Sequence, residues 1–319
     1  MKKIILLPIV IGSVLLITGT VVTVVAVTRM STNSGVAHVQ NSYDITEEYT
    51  SFNAELATAD FEIKISSDGK TKVDCDEKKN QHHEVKVEDN TLQIKLIDER
   101  RWYEKWFDWD FKNMKVTVYV PEKAYDDFNI KSSTGFVKTP DKISFKNLTT
   151  KVSTGNVQIN SDVENKVSVK ASTGDVSLDG VATTNVDIET STGDITLNKV
   201  EATGDITTKS STGGVKLIDT SFVNLKTTAS TGNVKLTNSV GSKHIQIKTS
   251  TGNVRFEDAD AETLNIETDT GSVKGTLLTS KIFDIDTDTG SKKYPKGSTT
   301  GGLCEIKTDT GDIDISIKA

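Results

Sequence analysis

The chain is poor in cysteine, lacks any cationic block and holds only one long uncharged run, and each shortage removes a class of protein. Two cysteines, Cys75 and Cys304, stand far apart among 319 residues, so a disulfide framework is not indicated. The net charge of −7 comes from Asp and Glu dispersed along the chain, with no Lys/Arg cluster to track phosphates. Nucleic acid is therefore not an expected partner. No nucleophile elbow, Walker loop or zinc-peptidase motif occurs, which leaves an enzyme without a recognisable catalytic signature. The histidines, His38, His82, His83 and His244, show no metal-ligand spacing beyond one adjacent pair, and neighbouring side chains in a strand point apart. No resident cofactor is expected.

The uncharged run extends from Ile4 to Val27, about the length that crosses a bilayer as one helix. It predicts a transmembrane helix over 4–28 after a cytoplasmic start at 1–3, with Lys2 and Lys3 holding that start inside and Arg29 weakening the asymmetry. A signal peptide is the competing reading, but its apolar region would be shorter. No Cys follows the run, which speaks against a lipoprotein anchor. Residues 29–44, rich in Ser, Thr and Asn, read as a tether. The expected location is the cell membrane, single-pass, with the remainder extracellular.

What the chain does contain is a repeat. Thr-Gly recurs with glycines at Gly135, Gly155, Gly174, Gly193, Gly213, Gly232, Gly252, Gly271, Gly290 and Gly311, at spacings of 19 to 21 residues. Seven positions before the Gly the residue is apolar in every copy, from Phe128 through Val167 and Ile206 to Cys304. Two positions after it stand Val137, Val157, Val176, Ile195 and their equivalents, with Lys292 the exception. Apolar residues at alternate positions on both sides of the Gly mark two half-buried strands per repeat. The change of inward parity across Ser-Thr-Gly requires a bend, which the Gly permits. A unit of this size cannot bury its own apolar face, so units must stack. The predicted fold is all-β: a parallel β-solenoid, a right-handed β-helix by the usual crossover hand, of about ten 19–20-residue coils over 124–319. No hexapeptide period and no calcium-binding nonapeptide is present.

Residues 45–123 alternate irregularly, as in Phe61-Glu62-Ile63-Lys64-Ile65 and Met114-Lys115-Val116-Thr117-Val118, and read as degenerate first coils forming an N-terminal cap. The far end, Ile313 to Lys318, ends in charge without an evident cap, which predicts an open edge there.

The membrane-helix start, the β-rich region ending in Val118-Tyr119-Val120-Pro121 and the serial Ser-Thr-Gly-Asp/Asn-Val/Ile-x-Leu repeats resemble a bacterial family of candidate adhesins of unknown function. Membrane-anchored LiaG-like proteins of Gram-positive bacteria, associated with cell-envelope stress operons, belong to it. The resemblance spans residues 45–319 and implies fold and location. It brings no catalytic residues.

Two features stand out from the repeats. Residues 100–111 hold all three tryptophans, and Trp102, Tyr103, Trp106, Phe107, Trp109 and Phe111 form either an aromatic binding patch for sugars or a bilayer interface, or a hydrophobic plug over the first coil. Two positions before the Gly, Ser gives way to Asp269, Asp288 and Asp309, a carboxylate ladder that a cation such as Ca²⁺ could bridge or that is simply a solvated edge. The Thr before each Gly shares parity with the apolar columns, which predicts an inward corner position bonded to neighbouring turns. Cys304 stands in the apolar column and reads as a buried thiol. The expected function is a membrane-anchored, extracytoplasmic, non-enzymatic binding, adhesion or scaffolding protein, with an envelope polymer or a membrane protein as partner. The alternative is a carbohydrate-active β-helix lyase or glycosidase.

Overall fold

The structure, a computed structural model, describes residues 38–102 and 114–318, so the transmembrane call over 4–28 lies outside the described residues. Among those described every regular element is a strand, and no helix is long and apolar enough to cross a membrane. All strands join in one continuous sheet wound into stacked coils.

Each coil has a long strand before its Gly and a short one after it, as in Ala182–Thr192 and Ile195–Asn198. Equivalent strands pair in parallel and in register: Val186 lies beside Val167 and Ile206, and Ile195 beside Val176 and Val215. The aliphatic columns seven before and two after the Gly therefore bury one another coil upon coil. The one-residue variation in repeat length is absorbed by register shifts near Val163–Lys166 and Phe222–Asn224, upstream of the conserved pattern.

The corner tolerates no side chain. At Gly193, φ is +145° and a Cβ would sit 2.1 Å from the Gly174 carbonyl oxygen one coil away. Gly174 stands in the same relation to Gly155. Just past the Gly an Asx ladder runs along the stack: the amide of Asp194 donates to Asp175 Oδ1 at 2.8 Å, and that of Gly214 to Asp194 Oδ1 at 2.7 Å. A second corner falls six residues after the Gly, where Gly180, Lys199, Asp219, Asn238 and Asp258 all take positive φ.

The Thr before the Gly does not point inward as parity predicts. Thr173, Thr192 and Thr212 are exposed, because the chain turns over the Ser-Thr pair and puts both side chains outside. The buried corner hydroxyl is two residues earlier: Thr190 Oγ1 donates to the Gly174 carbonyl at 3.3 Å and Thr308 Oγ1 to the Gly271 carbonyl at 3.0 Å. This column holds only small residues, among them Val152, Ala171 and Ser210.

The N-terminal cap contains a coil hidden by one substitution. Phe52, Ala54, Leu56, Phe61 and Ile63 occupy the inward columns, and Ala59 stands where the Gly would be. Ser51–Ile65 forms one unbroken strand across this position, and it pairs in parallel with both strands of the Gly135 coil, Asp60 Oδ1 accepting from the Phe136 amide as in the Asx ladder. Thr91–Asp98 and Met114–Val120 add a further parallel layer. Beyond them Thr71–Lys78, Gln81–Glu88 and His38–Ile45 pair antiparallel, so this outermost part is not a degenerate coil, and residues 38–44 belong to a strand of the cap instead of the tether read over 29–44. Under the cap, Phe52, Tyr125, Phe128 and Phe145 pack with ring centroids 4.9 to 6.1 Å apart.

At the far end spatial order departs from chain order. Gly302–Thr310 lies between Thr263–Thr270 and Lys281–Thr289, and Ile313–Ile317 lies between Val273–Leu277 and Lys292–Lys293. The Gly290 coil is thus outermost, and the expected open edge at Ile313–Lys318 is corrected in part: Ile313 and Asp314 are covered by Lys292–Lys293, while Ile315–Ile317 pair on one side. That placement explains Lys292: with no coil above, the inward column needs no aliphatic residue, and Lys292 is exposed and paired to Asp286 at 2.7 Å. Charged residues on a terminal strand discourage pairing with another chain. Tyr294 packs on Phe283, centroids 5.7 Å apart, over the end of the core.

A buried ion pair holds this inverted end. Lys281 Nζ is 2.8 Å from Asp260 Oδ1, with both side chains under 5% exposed. Asp260 also accepts from the amides of Ala261, Leu278 and Thr279 and from the Thr279 hydroxyl at 2.7 to 3.1 Å. Lys281 stands in register with Gly302 of the inserted coil, so the pair connects the Gly290 coil to the Gly271 coil.

Two expected outcomes follow for urea unfolding. Gly193→Ala destabilises by about 3 kcal/mol or more, because strain and a backbone clash coincide, whereas Gly69→Ala, where φ is +70° but nothing lies within 4 Å, costs about 1 kcal/mol. Lys281→Ala leaves the Asp260 charge buried without its cation and costs about 3 kcal/mol.

Candidate functional site

Regular stacking turns each outward position of the repeat into a column of like residues about 4.8 Å apart. Four positions before the Gly, the column reads Lys131, Lys151, Lys170, Glu189 and Lys209 in successive coils. Lys170 and Lys209 both pair with Glu189, at 3.3 and 3.0 Å, and they hold its carboxyl below the usual range. Lys131 and Lys151, both exposed, have no ion-pair partner among the described residues. Glu55 stands in register with Lys131 on the other side and forms no ion pair with it, so the column places Lys131 and Lys151 between two carboxylates, Glu55 and the lysine-paired Glu189. The two adjacent lysines repel each other at coil spacing, and a negatively charged partner would relieve that repulsion.

This ladder borders a groove of about 580 Å³ whose lining includes Lys95, Leu96, Lys131, Lys151 and Ser153. Asp98 also lines it and is gripped by Arg100, Nε to Oδ1 and Nη2 to Oδ2 both at 2.9 Å. Asp98 and Arg100 thus place the start of the aromatic stretch close to the groove. Trp102, its first tryptophan, is 76% exposed. Tyr103, Trp106, Phe107, Trp109 and Phe111 lie outside the described residues.

A second cationic column, Lys216, Lys235, Arg255 and Lys274, lies three positions after the Gly on the other strand. It differs in being neutralised: Lys235 and Arg255 share Glu257 at 2.8 and 2.7 Å, and Lys274 meets Asp312 at 3.4 Å. The two columns look alike in sequence, and only their partners distinguish them.

Asp269, Asp309 and Asp288 are exposed and stack in that spatial order, because the Gly311 coil is inserted. The ladder read from the sequence is therefore continuous, with Asp309 at its centre. Its three carboxylates do not converge: among the described residues the trio of potential ligands lying within 4.8 Å of one another is Cys75, Glu77 and His83, in the N-terminal cap. Sequence reasoning missed that cluster, since it treated His83 only as the neighbour of His82. Cys304 is buried as expected, and burial pushes its thiol up to about 12.

The profile of the Toastrack DUF4097 family matches residues 49–220 and 215–319. No curated protein matches the chain. Among solved structures it is similar to a candidate adhesin from Bacteroides fragilis, at 14% identity over 88% of this chain and 97% of that one, with a TM-score of 0.42. A candidate adhesin from Parabacteroides merdae matches at 11% identity over 90% and 98%, with a TM-score of 0.43. A candidate lipid-binding protein from Parabacteroides distasonis matches at 15% identity over 90% and 98%, with a TM-score of 0.39.

The non-convergent Asp269–Asp309–Asp288 ladder sets an expectation for calcium. The melting temperature is unchanged by Ca²⁺ on the order of 1 mM, the range of extracellular calcium modules. A rise that Asp309→Asn abolishes would instead establish a calcium site.

Proposed function

The chain belongs to the Toastrack DUF4097 family, and from that premise we propose a non-enzymatic role as a binding, adhesion or scaffolding protein of the cell envelope. The uncharged run of Ile4–Val27 anchors it in the membrane, and the solenoid stands outside the cell beyond a short tether that ends before the His38–Ile45 strand, acting in the response to envelope stress. The observation that supports binding is the Lys131–Lys151 step beside a groove whose lining residue Asp98 is followed four positions later in the chain by the exposed Trp102. Rigid charges repeated at coil spacing suit a linear polymer with regularly repeated anionic groups, and an exposed aromatic beside them suits the sugar or polyol units between those groups.

The alternative, a β-helix glycosidase or lyase, calls for a carboxyl group whose pKa is raised so that it can act as an acid. Among the described residues the displaced carboxylates, Glu62, Asp126, Glu189, Glu257, Asp286, Glu305 and Asp312, are all displaced downward, most by neighbouring lysines. This favours the binding reading.

The test is binding of poly(glycerol phosphate) to the full-length protein in detergent, with a neutral glycan and duplex DNA as comparison ligands. The charged envelope-type polymer binds, binding weakens as salt is raised, and Lys131→Glu with Lys151→Glu weakens it by about tenfold or more, whereas Lys235→Glu has little effect. Equal binding by the double variant, or cleavage of any of these polymers, would sink the proposal.

A further inference from the structure

The N-terminal cap buries a set of polar side chains that its packing does not require. Cys75 and Glu77 alternate along Thr71–Lys78, so both point inward, and His83 enters the same space from Gln81–Glu88 after the hairpin. All three are 2% exposed or less. Cys75 Sγ, a carboxylate oxygen of Glu77 and a ring nitrogen of His83 lie within 4.8 Å of one another.

Glu77 is held firmly. Its Oε2 accepts from Asn41 Nδ2 at 2.5 Å, and its Oε1 accepts from the backbone amide of His83 and faces His83 Nδ1 at 2.9 Å. Tyr43 donates to the His83 carbonyl at 3.0 Å, fixing the strand that carries the ring. A carboxylate only accepts, so the imidazole proton sits on Nδ1. The other nitrogen, Nε2, is buried with no hydrogen-bond partner. Leaving such a lone pair unsatisfied in a protein interior is costly, and the Cys75 thiol lies within 4.8 Å of a ring nitrogen of the same imidazole.

We propose that Cys75, Glu77 and His83 form a site for one divalent transition-metal ion of the zinc class, which locks the N-terminal cap. His83 Nε2 and the Cys75 thiolate bind the ion. Glu77 fixes the tautomer through Nδ1, the carboxylate–histidine–metal arrangement. The donor set of one sulfur and one imidazole beside a carboxylate selects zinc-like ions over calcium or magnesium, which take oxygen. Charge also balances: thiolate and carboxylate together neutralise a dication, so the filled site carries no net charge into the interior. Binding breaks the S–H bond of Cys75, forms a sulfur–metal bond and releases one proton to solvent, with no change of oxidation state. This site is independent of the polymer groove, and its role is to tie together the antiparallel strands that close the stack.

The test is a Co²⁺ titration of the full-length protein after chelator treatment. One equivalent binds with a thiolate-to-cobalt charge-transfer absorption, Zn²⁺ displaces it, and Zn²⁺ raises the melting temperature. Cys75→Ser abolishes the absorption, Cys304→Ser leaves it intact, and His83→Gln weakens affinity on the order of tenfold or more, with far-ultraviolet circular dichroism checking the fold of each. Wild-type protein that binds neither Co²⁺ nor Zn²⁺ stoichiometrically overturns the proposal, and so does a folded Cys75→Ser protein with undiminished absorption. Should Cys75→Ser fail to fold, the wild-type titration and Cys304→Ser decide the matter.

Discussion

Everything in this molecule depends on how closely one corner can approach the next. Backbone from successive coils meets at the Thr-Gly turn with no room for a Cβ, the added atom falling about 2.0 to 2.1 Å from the carbonyl below it at each of these corners. That contact fixes rise and register together. Once it is set, aliphatic columns must coincide, Asx side chains reach the next coil's amide, and the small residue three positions before the Gly has just enough space to bond a corner carbonyl. The exposed surface inherits the same regularity, so cationic columns there follow from the turn as much as the core does. Ala59 supports the argument from the other side: it holds the corner position in register with Gly135, but no earlier Gly corner packs beneath it, so there a Cβ is allowed.

Both ends depart from the repeat, and for one reason. A stacked sheet leaves a row of unpaired amides and carbonyls at each end, open to other chains. The N-terminal end answers with antiparallel strands laid over the last parallel layer. The other end answers by inserting its last coil beneath the preceding one and tying the displaced coil down through Asp260 and Lys281. Buried ion pairs are seldom a large gain in stability over apolar packing. Here the pair links the outermost coil to the Gly271 coil across the inserted one.

Much of this was legible in the chain. Glycine spacing and the aliphatic columns gave coil number, strand positions and the parallel stack, because period-two burial and a positive-φ corner leave a direct trace in residue types. The orientation of the threonines was not legible, since alternation fails where a turn places two consecutive residues outside. The order of the last two coils was not either, although Lys292 in an otherwise aliphatic column was its signature. On the surface, Lys131 and Lys235 look equivalent in sequence, and only the position of Glu257 gives Lys235 an ion-pair partner that Lys131 lacks among the described residues. The cap cluster escaped because strand alternation separates His82 from His83 but says nothing about what crosses the hairpin to meet either ring.

The inserted coil also has a bearing on the order of events during synthesis. A solenoid of this kind can wind from its first coil as the chain emerges, each turn settling on the last. The Gly290 coil cannot do so, because the neighbour that belongs beneath it is made after it. The Gly290 coil reaches its final place only once residues 302–317 have been made and lie between it and the Gly271 coil, so the distal tip is completed last.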